Sequence, residues 1–226
     1  MSVKRKSKVL LVDDHLVVRK GLGLVITDDP GLTVCGEASS ASECMFLLSK
    51  LMPDVILTDV SLGNTSGLEL IKDIRKINAN IPILAFSIHD EDLYAERALS
   101  AGASGYIMKE ADADSLLMAI HKVLDGDVYL SPAMTSRMLR KLSGNKDSAK
   151  SPLTEINTLS DRELEVFSLI GHGFSTSKIA DQLHLSEKTI ETYRAHIKEK
   201  LSLDDVASLT RAAVYWVEVG SQSKTA

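Results

Sequence analysis

The sequence predicts an α/β domain built on a doubly wound, five-stranded parallel sheet, followed by a small all-α domain of four helices. Three observations carry this. Short apolar runs alternate with amphipathic stretches from Lys8 to Leu124. From about Tyr129 onward the pattern is helical only. Between the two rhythms lies Ser143–Thr158, "SGNKDSAKSPLTEINT", rich in Ser, Lys, Asn and Pro and without apolar periodicity, which reads as a linker. A chain of 226 residues is comfortable for two domains.

The strands are expected at "KVLLV" (Lys8–Val12), "LTVCGEA" (Leu32–Ala38), "DVILTD" (Asp54–Asp59), "IPILAFS" (Ile81–Ser87) and "SGYIMK" (Ser104–Lys109). The helical patterns between and after them are Leu16–Thr27, Ser40–Met52, Leu68–Ile77, Leu93–Ala101 and Ala113–Leu124. Strict alternation of this length implies parallel strands joined by right-handed crossovers, with helices on both faces. "SPAMTSRMLRKL" forms a short helix with Pro132 near its first turn. Beyond the linker, Ser160 caps a helix, with Glu163 completing a capping box and Leu159 stapling to Leu164. Gly171 and Gly173 stop that helix. Ser175 and Ser186 cap the next two, and a fourth runs from Asp204 to about Val217. The run Lys178–Leu201 is thus helix, turn, helix, an arrangement compatible with DNA binding. The domain boundaries expected are 1–128, a linker with a short helix over 129–158, 159–220, and a tail over 221–226.

Composition narrows the classes. With 44% hydrophobic and 25% charged residues the chain is globular rather than disordered. No apolar run approaches the ~20 residues of a membrane span, and Val9–Val12 is too short for an export signal. Cys35 and Cys44 have no CxxC spacing and read as buried small residues in a reducing compartment, so the cytoplasm is the expected location and no membrane partner is expected. A net charge of −5 argues against coating nucleic acid by bulk charge, but not against local groove binding.

In open parallel sheets ligands sit beyond the carboxyl ends of the strands, where strand order reverses. With the flavodoxin-like order 2-1-3-4-5, that edge receives Asp13 and Asp14 after the first strand, Asp59 at the end of the third, Ser87 from the fourth and Lys109 from the fifth. Three close carboxylates repel one another unless a cation neutralises them, and a hard divalent ion with oxygen ligands, Mg²⁺, fits best, with Mn²⁺ the alternative. Lys109 then offers a point charge and Ser87 a hydroxyl to a phosphate, while Asp59 can act as a carboxylate nucleophile. His15 and His89 flank the crevice, either as solvated loop residues or as groups that tune the chemistry; His172, His184 and His196 share no metal-ligand spacing and read as structural.

"LLVDDH", "ILTDVSLGNTSG", "ILAFS" and "AGASGYIMK" resemble the receiver domain of bacterial two-component response regulators. "LSDRELEVFSLIGHGFSTSKIADQLHLSEKTIETYRAHIKEKL" resembles a LuxR-type helix-turn-helix, and the two together resemble the NarL/FixJ family over nearly the whole chain. The resemblance implies a phosphorylation-controlled transcription factor whose phosphoacceptor is Asp59. It implies Asp14 and Asp59 as direct Mg²⁺ ligands, Asp13 acting through water, and the Ser61 backbone carbonyl completing the set. Ser87 and Tyr106 match the family's switch pair and Lys109 its phosphate-binding lysine. One departure stands out: the family usually has Met-Pro where this chain has Leu62-Gly63, and glycine widens the backbone's choices.

In the third helix of the second domain Ile190, Ile197 and Leu201 face the core, so Lys188, Glu191, Thr192, Ala195 and Lys198 lie on the opposite face. Glu191 can accept from a cytosine amino group and the Thr192 methyl can meet a thymine methyl. Tyr193, Arg194, Lys178 and Thr176 suit phosphates. The plainer reading is a solvated face, since Asp181, Glu187, Glu191 and Glu199 are interleaved with the basic residues. The last helix carries Val206, Leu209, Ala213, Val214 and Val217, part of which closes the domain's own core; by resemblance the rest is a homodimer contact that spaces two such helices on a double-stranded operator. The expected partners are a sensor histidine kinase and DNA. No turnover of an outside substrate is expected, because aspartate-nucleophile phosphatases need an acid two residues past the nucleophile and Ser61 stands there. A receiver-type module that works without phosphorylation is the remaining alternative.

Overall fold

The computed structural model describes residues 5–63, 65–142, 156 and 158–222. Most of the expected linker, Ser143–Thr158, and residues 223–226 of the expected tail lie outside these. The chain divides into two compact units, Met1–Leu139 and Arg140–Ala226.

The first unit runs β1 (Ser7–Val12), α1 (Leu16–Asp28), β2 (Leu32–Ala38), α2 (Ala41–Leu51), β3 (Val55–Asp59), β4 (Ser61–Leu62), β5 (Thr65–Ser66), α3 (Gly67–Ile77), β6 (Ile83–Ser87), α4 (Glu91–Ala101), β7 (Gly105–Met108), α5 (Ala113–Leu124) and α6 (Pro132–Leu142). The parallel sheet has the order β2-β1-β3-β6-β7, the doubly wound arrangement expected. β3 is buried at all five positions, as a central parallel strand covered on both faces must be. Its neighbours are in register at the carboxyl edge: Val12 lies beside Thr58, Asp59 beside Phe86, and Ser87 beside Met108. One face of the sheet is closed by Leu22 and Ile26 of α1 and by Leu116, Ala119, Ile120 and Val123 of α5. α6 is fastened to this unit by an Arg137–Asp92 ion pair of 2.9 Å and by Glu91, which accepts the Ser131 N–H at 2.8 Å.

Helix starts follow the side chains that satisfy their first amides. Ser40, Ser66, Asp90 and Asp112 accept from backbone N–H groups of α2, α3, α4 and α5 respectively. Asp90 explains why α4 begins at Glu91 rather than at the expected Leu93. The β4–β5 hairpin was not legible from periodicity, since each strand is only two residues long. Its turn holds Gly63 at φ +48°, which proline cannot adopt. Leu62-Gly63 therefore makes a turn that a Met-Pro pair in the same place could not make.

The second unit contains α7 (Asp161–Gly171), α8 (Thr176–Gln182), α9 (Glu187–Lys200) and α10 (Val206–Gln222). The capping box forms: Ser160 Oγ accepts the Glu163 N–H and Glu163 Oε2 accepts the Ser160 N–H at 2.7 Å. Leu159 and Leu164 are both buried. Ser175 and Ser186 cap α8 and α9 as expected. α10 starts later and ends later than expected; Asp205 accepts the Ser208 N–H at 2.6 Å at its start, and Leu209, Ala213 and Trp216 are buried along its inner stripe. Trp216 meets Phe167 of α7 with ring centroids 5.6 Å apart. The two helices approach closely because Gly171 leaves room: a Cβ there would lie 2.5 Å from the Ala213 carbonyl oxygen.

Candidate functional site

Register alone brings the candidate residues to one edge. β1 ends immediately before Asp13, β3 ends on Asp59, β6 ends on Ser87, and Lys109 follows β7, its N–H donating to the Ser87 carbonyl at 2.7 Å. Lys109 Nζ donates to Asp13 Oδ2 at 2.6 Å and to Asp59 Oδ2 at 2.7 Å. Asp13 and Asp59 are buried, and Lys109's side chain is only 12% exposed, so the three charges meet largely out of water. Asp59 Oδ1 accepts the Ser61 N–H at 3.1 Å, Asp13 Oδ1 accepts the His15 N–H at 2.7 Å, and Arg19 donates to the Asp13 carbonyl.

Burial pushes the Asp59 carboxyl up to about 6; Asp13 adds to this, while Lys109 and the Ser61 amide pull it back. For Lys109 burial opposes the charge, but Asp59 and Asp13 outweigh it and hold the ammonium above its ordinary value. Burial raises the Tyr106 phenol as well.

Ligand atoms of Asp13, Asp14, His15 and Asp59 lie within 4.8 Å of one another. Two of the three carboxylates are buried, share one ammonium and offer hard oxygen donors, so the residues present fit a small divalent cation that would supplement Lys109's charge. His15 Nδ1 lies 2.9 Å from Asp14 Oδ1 and its side chain is largely exposed.

Ser87 is fully buried, and its Oγ accepts the His89 N–H at 3.1 Å. Tyr106 is also fully buried, and its hydroxyl donates to the His89 carbonyl at 2.7 Å. The tyrosine thus occupies the interior. His89 is not a solvated loop residue: it is buried, lies with Nε2 2.8 Å from Ser61 Oγ, and stacks on Tyr94 with centroids 4.5 Å apart. Of the three histidines read as structural, His172 lies with Nδ1 2.8 Å from the Ser168 carbonyl and His196 lies 3.8 Å from Glu163. His184 holds φ +52° in the turn between α8 and α9.

Gly67 was quoted only as the end of a motif, yet it permits the whole corner. Its N–H donates to the Val60 carbonyl at 2.7 Å, and a Cβ would lie 1.9 Å from the Asp59 carbonyl oxygen. Only glycine lets α3 start against the backbone that carries Asp59.

On α9, Ile190, Ile197 and Leu201 are buried, as the spacing predicts. Lys188, Glu191, Thr192 and Ala195 are exposed; Tyr193, Arg194 and Lys198 are half-buried. Glu191 is engaged, accepting the Thr176 hydroxyl at 2.9 Å and lying 3.9 Å from Arg194 Nε. The Thr192 hydroxyl donates to the Lys188 carbonyl at 3.0 Å. Lys178 is exposed, with Nζ 4.1 Å from the Phe174 ring centroid. Val206 and Tyr215 are exposed on α10. Among the described residues no helix is long and apolar enough to cross a membrane.

A five-stranded parallel sheet with acids and a lysine at its switch point, followed by a helix-turn-helix unit, defines a two-domain signal-response regulator. Comparison with known proteins agrees. Residues 9–121 match the response regulator receiver domain, and residues 157–215 match the bacterial regulatory proteins of the luxR family. The chain is 35% identical to response regulator GacA of Pseudomonas aeruginosa, over 92% of this chain and 95% of that one. It is 33% identical to the nitrate/nitrite response regulator protein NarL of Escherichia coli, over 96% and 97%. Among solved structures, RcsB from Salmonella enterica serovar Typhimurium, bound to promoter rprA in the presence of phosphomimetic BeF₃⁻, superposes with a TM-score of 0.58 at 25% identity, covering 92% of this chain and 98% of that one. The chain belongs to the response-regulator family, with a receiver domain followed by a LuxR-type DNA-binding domain, and its function is that of a phosphorylation-controlled transcription regulator.

Proposed function

We propose that the phosphoryl switch operates at Asp59. An Asp59 carboxylate oxygen attacks phosphorus on the phosphohistidine of a sensor kinase, or on a small acyl phosphate. The O–P bond forms as the bond to the donor breaks, and the donor leaves with the electron pair. The observation that carries this reading is Lys109 Nζ reaching Asp13 and Asp59 at once, since phosphoryl transfer to a carboxylate needs neutralising charge more than it needs a general base. Asp13, Asp14, Asp59 and the Ser61 carbonyl would hold Mg²⁺, or Mn²⁺ in its place, which supplies charge neutralisation when bound. Lys109 then pairs with the new phosphoryl group, Ser87 donates its hydroxyl to it, and Tyr106 completes the switch. Asp59 later loses the group to water; with Ser61 rather than an acid two residues on, outside phosphoesters are not turned over.

The second domain reads a double-stranded operator. Glu191, Thr192, Lys188, Ala195 and Lys198 face the major groove, while Thr176, Lys178, Tyr193 and Arg194 contact phosphates. Phosphorylation favours a homodimer through the last helix, which sets the spacing of two half-sites. The receiver spans 1–128, the linker 129–158 and the DNA-binding domain 159–220. A kinase's phosphohistidine and DNA as partners support the cytoplasm as the site of action. Intact mass after incubation with acetyl phosphate and Mg²⁺ tests the assignment. One phosphoryl on wild type and none on Asp59→Asn is expected; label on Asp59→Asn removes Asp59 from the role.

A further inference from the structure

His89 contacts both residues of the proposed switch pair, Ser87 and Tyr106, although it is not one of them. Its ring is pinned on two sides: Nε2 lies 2.8 Å from the Ser61 hydroxyl, and the ring stacks on Tyr94 of α4 with a 20° interplanar angle. Ser61 in turn donates its N–H to Asp59 Oδ1. The backbone of the same residue serves both buried hydroxyls. Its N–H donates to Ser87 Oγ, and its carbonyl accepts from the Tyr106 hydroxyl.

These four contacts have a mechanical consequence. A serine oxygen that accepts the His89 N–H keeps its own proton to donate, and the direction of that proton depends on where the His89 amide sits. A fully buried tyrosine hydroxyl must find an acceptor, and the His89 carbonyl is one at 2.7 Å, with the Ser87 hydroxyl hydrogen-bonded to the same phenol. Both depend on the backbone at position 89, and the side chain that fixes this backbone is held by Ser61, two residues from Asp59. We propose that His89 is a positioning residue: the Ser61–His89 hydrogen bond holds the β6–α4 loop so that the Ser87 hydroxyl is aimed at an arriving phosphoryl group and Tyr106 keeps its inward place. This rests on Asp59 being the phosphoacceptor.

The test uses the full chain and four variants. His89→Phe keeps a ring against Tyr94 and loses the hydrogen bond to Ser61. His89→Gln loses the ring and keeps an amide that reaches Ser61. Ser61→Ala removes the hydroxyl and keeps the backbone carbonyl, and Asp59→Asn is the control. Rates of phosphorylation by acetyl phosphate are measured across a Mg²⁺ series, and hydrogen exchange is followed over residues 87–95 without any phosphodonor. His89→Phe and Ser61→Ala should slow phosphorylation by roughly tenfold, the order expected when a positioning contact is lost. Their half-saturating Mg²⁺ should not change, and His89→Gln should recover most of the rate. Exchange over 87–95 should rise in the two slow variants and elsewhere stay as in wild type.

Wild-type rates in His89→Phe would overturn the proposal, and with slowing in His89→Gln would make the position one of packing alone; equal slowing in His89→Phe and His89→Gln would overturn it too, because an amide that reaches Ser61 would then not restore the rate. If His89→Phe loses protection throughout the receiver, Ser61→Ala, which leaves the ring in place, decides. A wild type that takes no phosphoryl would sink the Asp59 reading; the exchange difference would still decide whether His89 holds the loop.

Discussion

Replacing Gly67 by alanine puts one methyl group where the structure has a backbone carbonyl. The added Cβ would lie 1.9 Å from the Asp59 oxygen and 2.9 Å from both the Asp59 carbonyl carbon and Val60 Cα. No real Cβ tolerates the first distance, so either α3 or the Asp59–Val60 backbone must move by roughly 1 Å or more. Backbone shifts forced by an extra methyl cost about 1–3 kcal/mol, and losing the Gly67 N–H to Val60 hydrogen bond costs about 1 kcal/mol more. Alanine's better helix propensity returns at most about 1 kcal/mol at this first helical position. The net expectation is a loss of about 1–3 kcal/mol, together with a displacement of Asp59 large enough to slow phosphorylation by about 100-fold. Gly21 and Gly23 in α1 provide the control: a Cβ at either meets nothing within 4 Å, so alanine there should be neutral or stabilising. Urea unfolding of the three variants, followed by acetyl phosphate labelling read by intact mass, makes the comparison. If Gly67→Ala unfolds at the wild-type midpoint and labels at the wild-type rate, the close approach of α3 to Asp59 does not hold the site.

Asp59→Asn should stabilise the metal-free protein by about 1–3 kcal/mol at pH 7, because a carboxyl raised by burial from 3.8 to about 6 opposes folding once ionised. The sign follows from an acid raised on folding: the variant's advantage is full above about pH 6 and gone below about pH 4, as urea unfolding in EDTA across that range would record. In the second unit Glu163 is pushed up by burial, but Lys200 at 2.6 Å and the Ser160 hydrogen bonds outweigh this and hold it below 4.5. The stability it contributes is therefore present above pH 4.5 and lost as pH falls through the lower folded value; Glu163→Ala should cost about 1–2 kcal/mol at neutral pH and flatten that acid loss in thermal melts. Lys178→Ala should weaken DNA binding evenly across sequences and reduce the salt slope by about 1 in fluorescence anisotropy, whereas Glu191→Ala should change which sequences are preferred.

The acidic edge was legible because each strand is a short apolar run that ends on its polar residue, and parallel order then places those ends together. Asp13, Asp59, Ser87 and Lys109 needed only periodicity and the switch-point rule. The helix starts at Ser160, Ser175 and Ser186 were legible for a similar reason, since a cap and its partner lie within four residues of each other. What escaped depends on distance along the chain. Ser61 and His89 are 28 residues apart, and Tyr106 reaches a backbone carbonyl 17 residues away. No local pattern marks either pairing. Gly67 stood only as the end of a motif because its function lies in what a Cβ would strike, and Trp216 was overlooked because the stripe on α10 was read only from aliphatic residues. Glu191 and Thr176 looked like separate DNA contacts, and their mutual hydrogen bond appears only when α8 and α9 are placed side by side.

In the proposed mechanism a phosphoryl group on Asp59 governs DNA binding through the second domain. The most direct measurement is affinity for a duplex selected from a random library, read by anisotropy at one fixed salt concentration, for wild type and Asp59→Asn with and without beryllofluoride and Mg²⁺. Beryllofluoride should tighten binding by wild type at least tenfold and leave Asp59→Asn unchanged. Equal affinity in all four conditions would contradict it and would favour a receiver that regulates without phosphorylation.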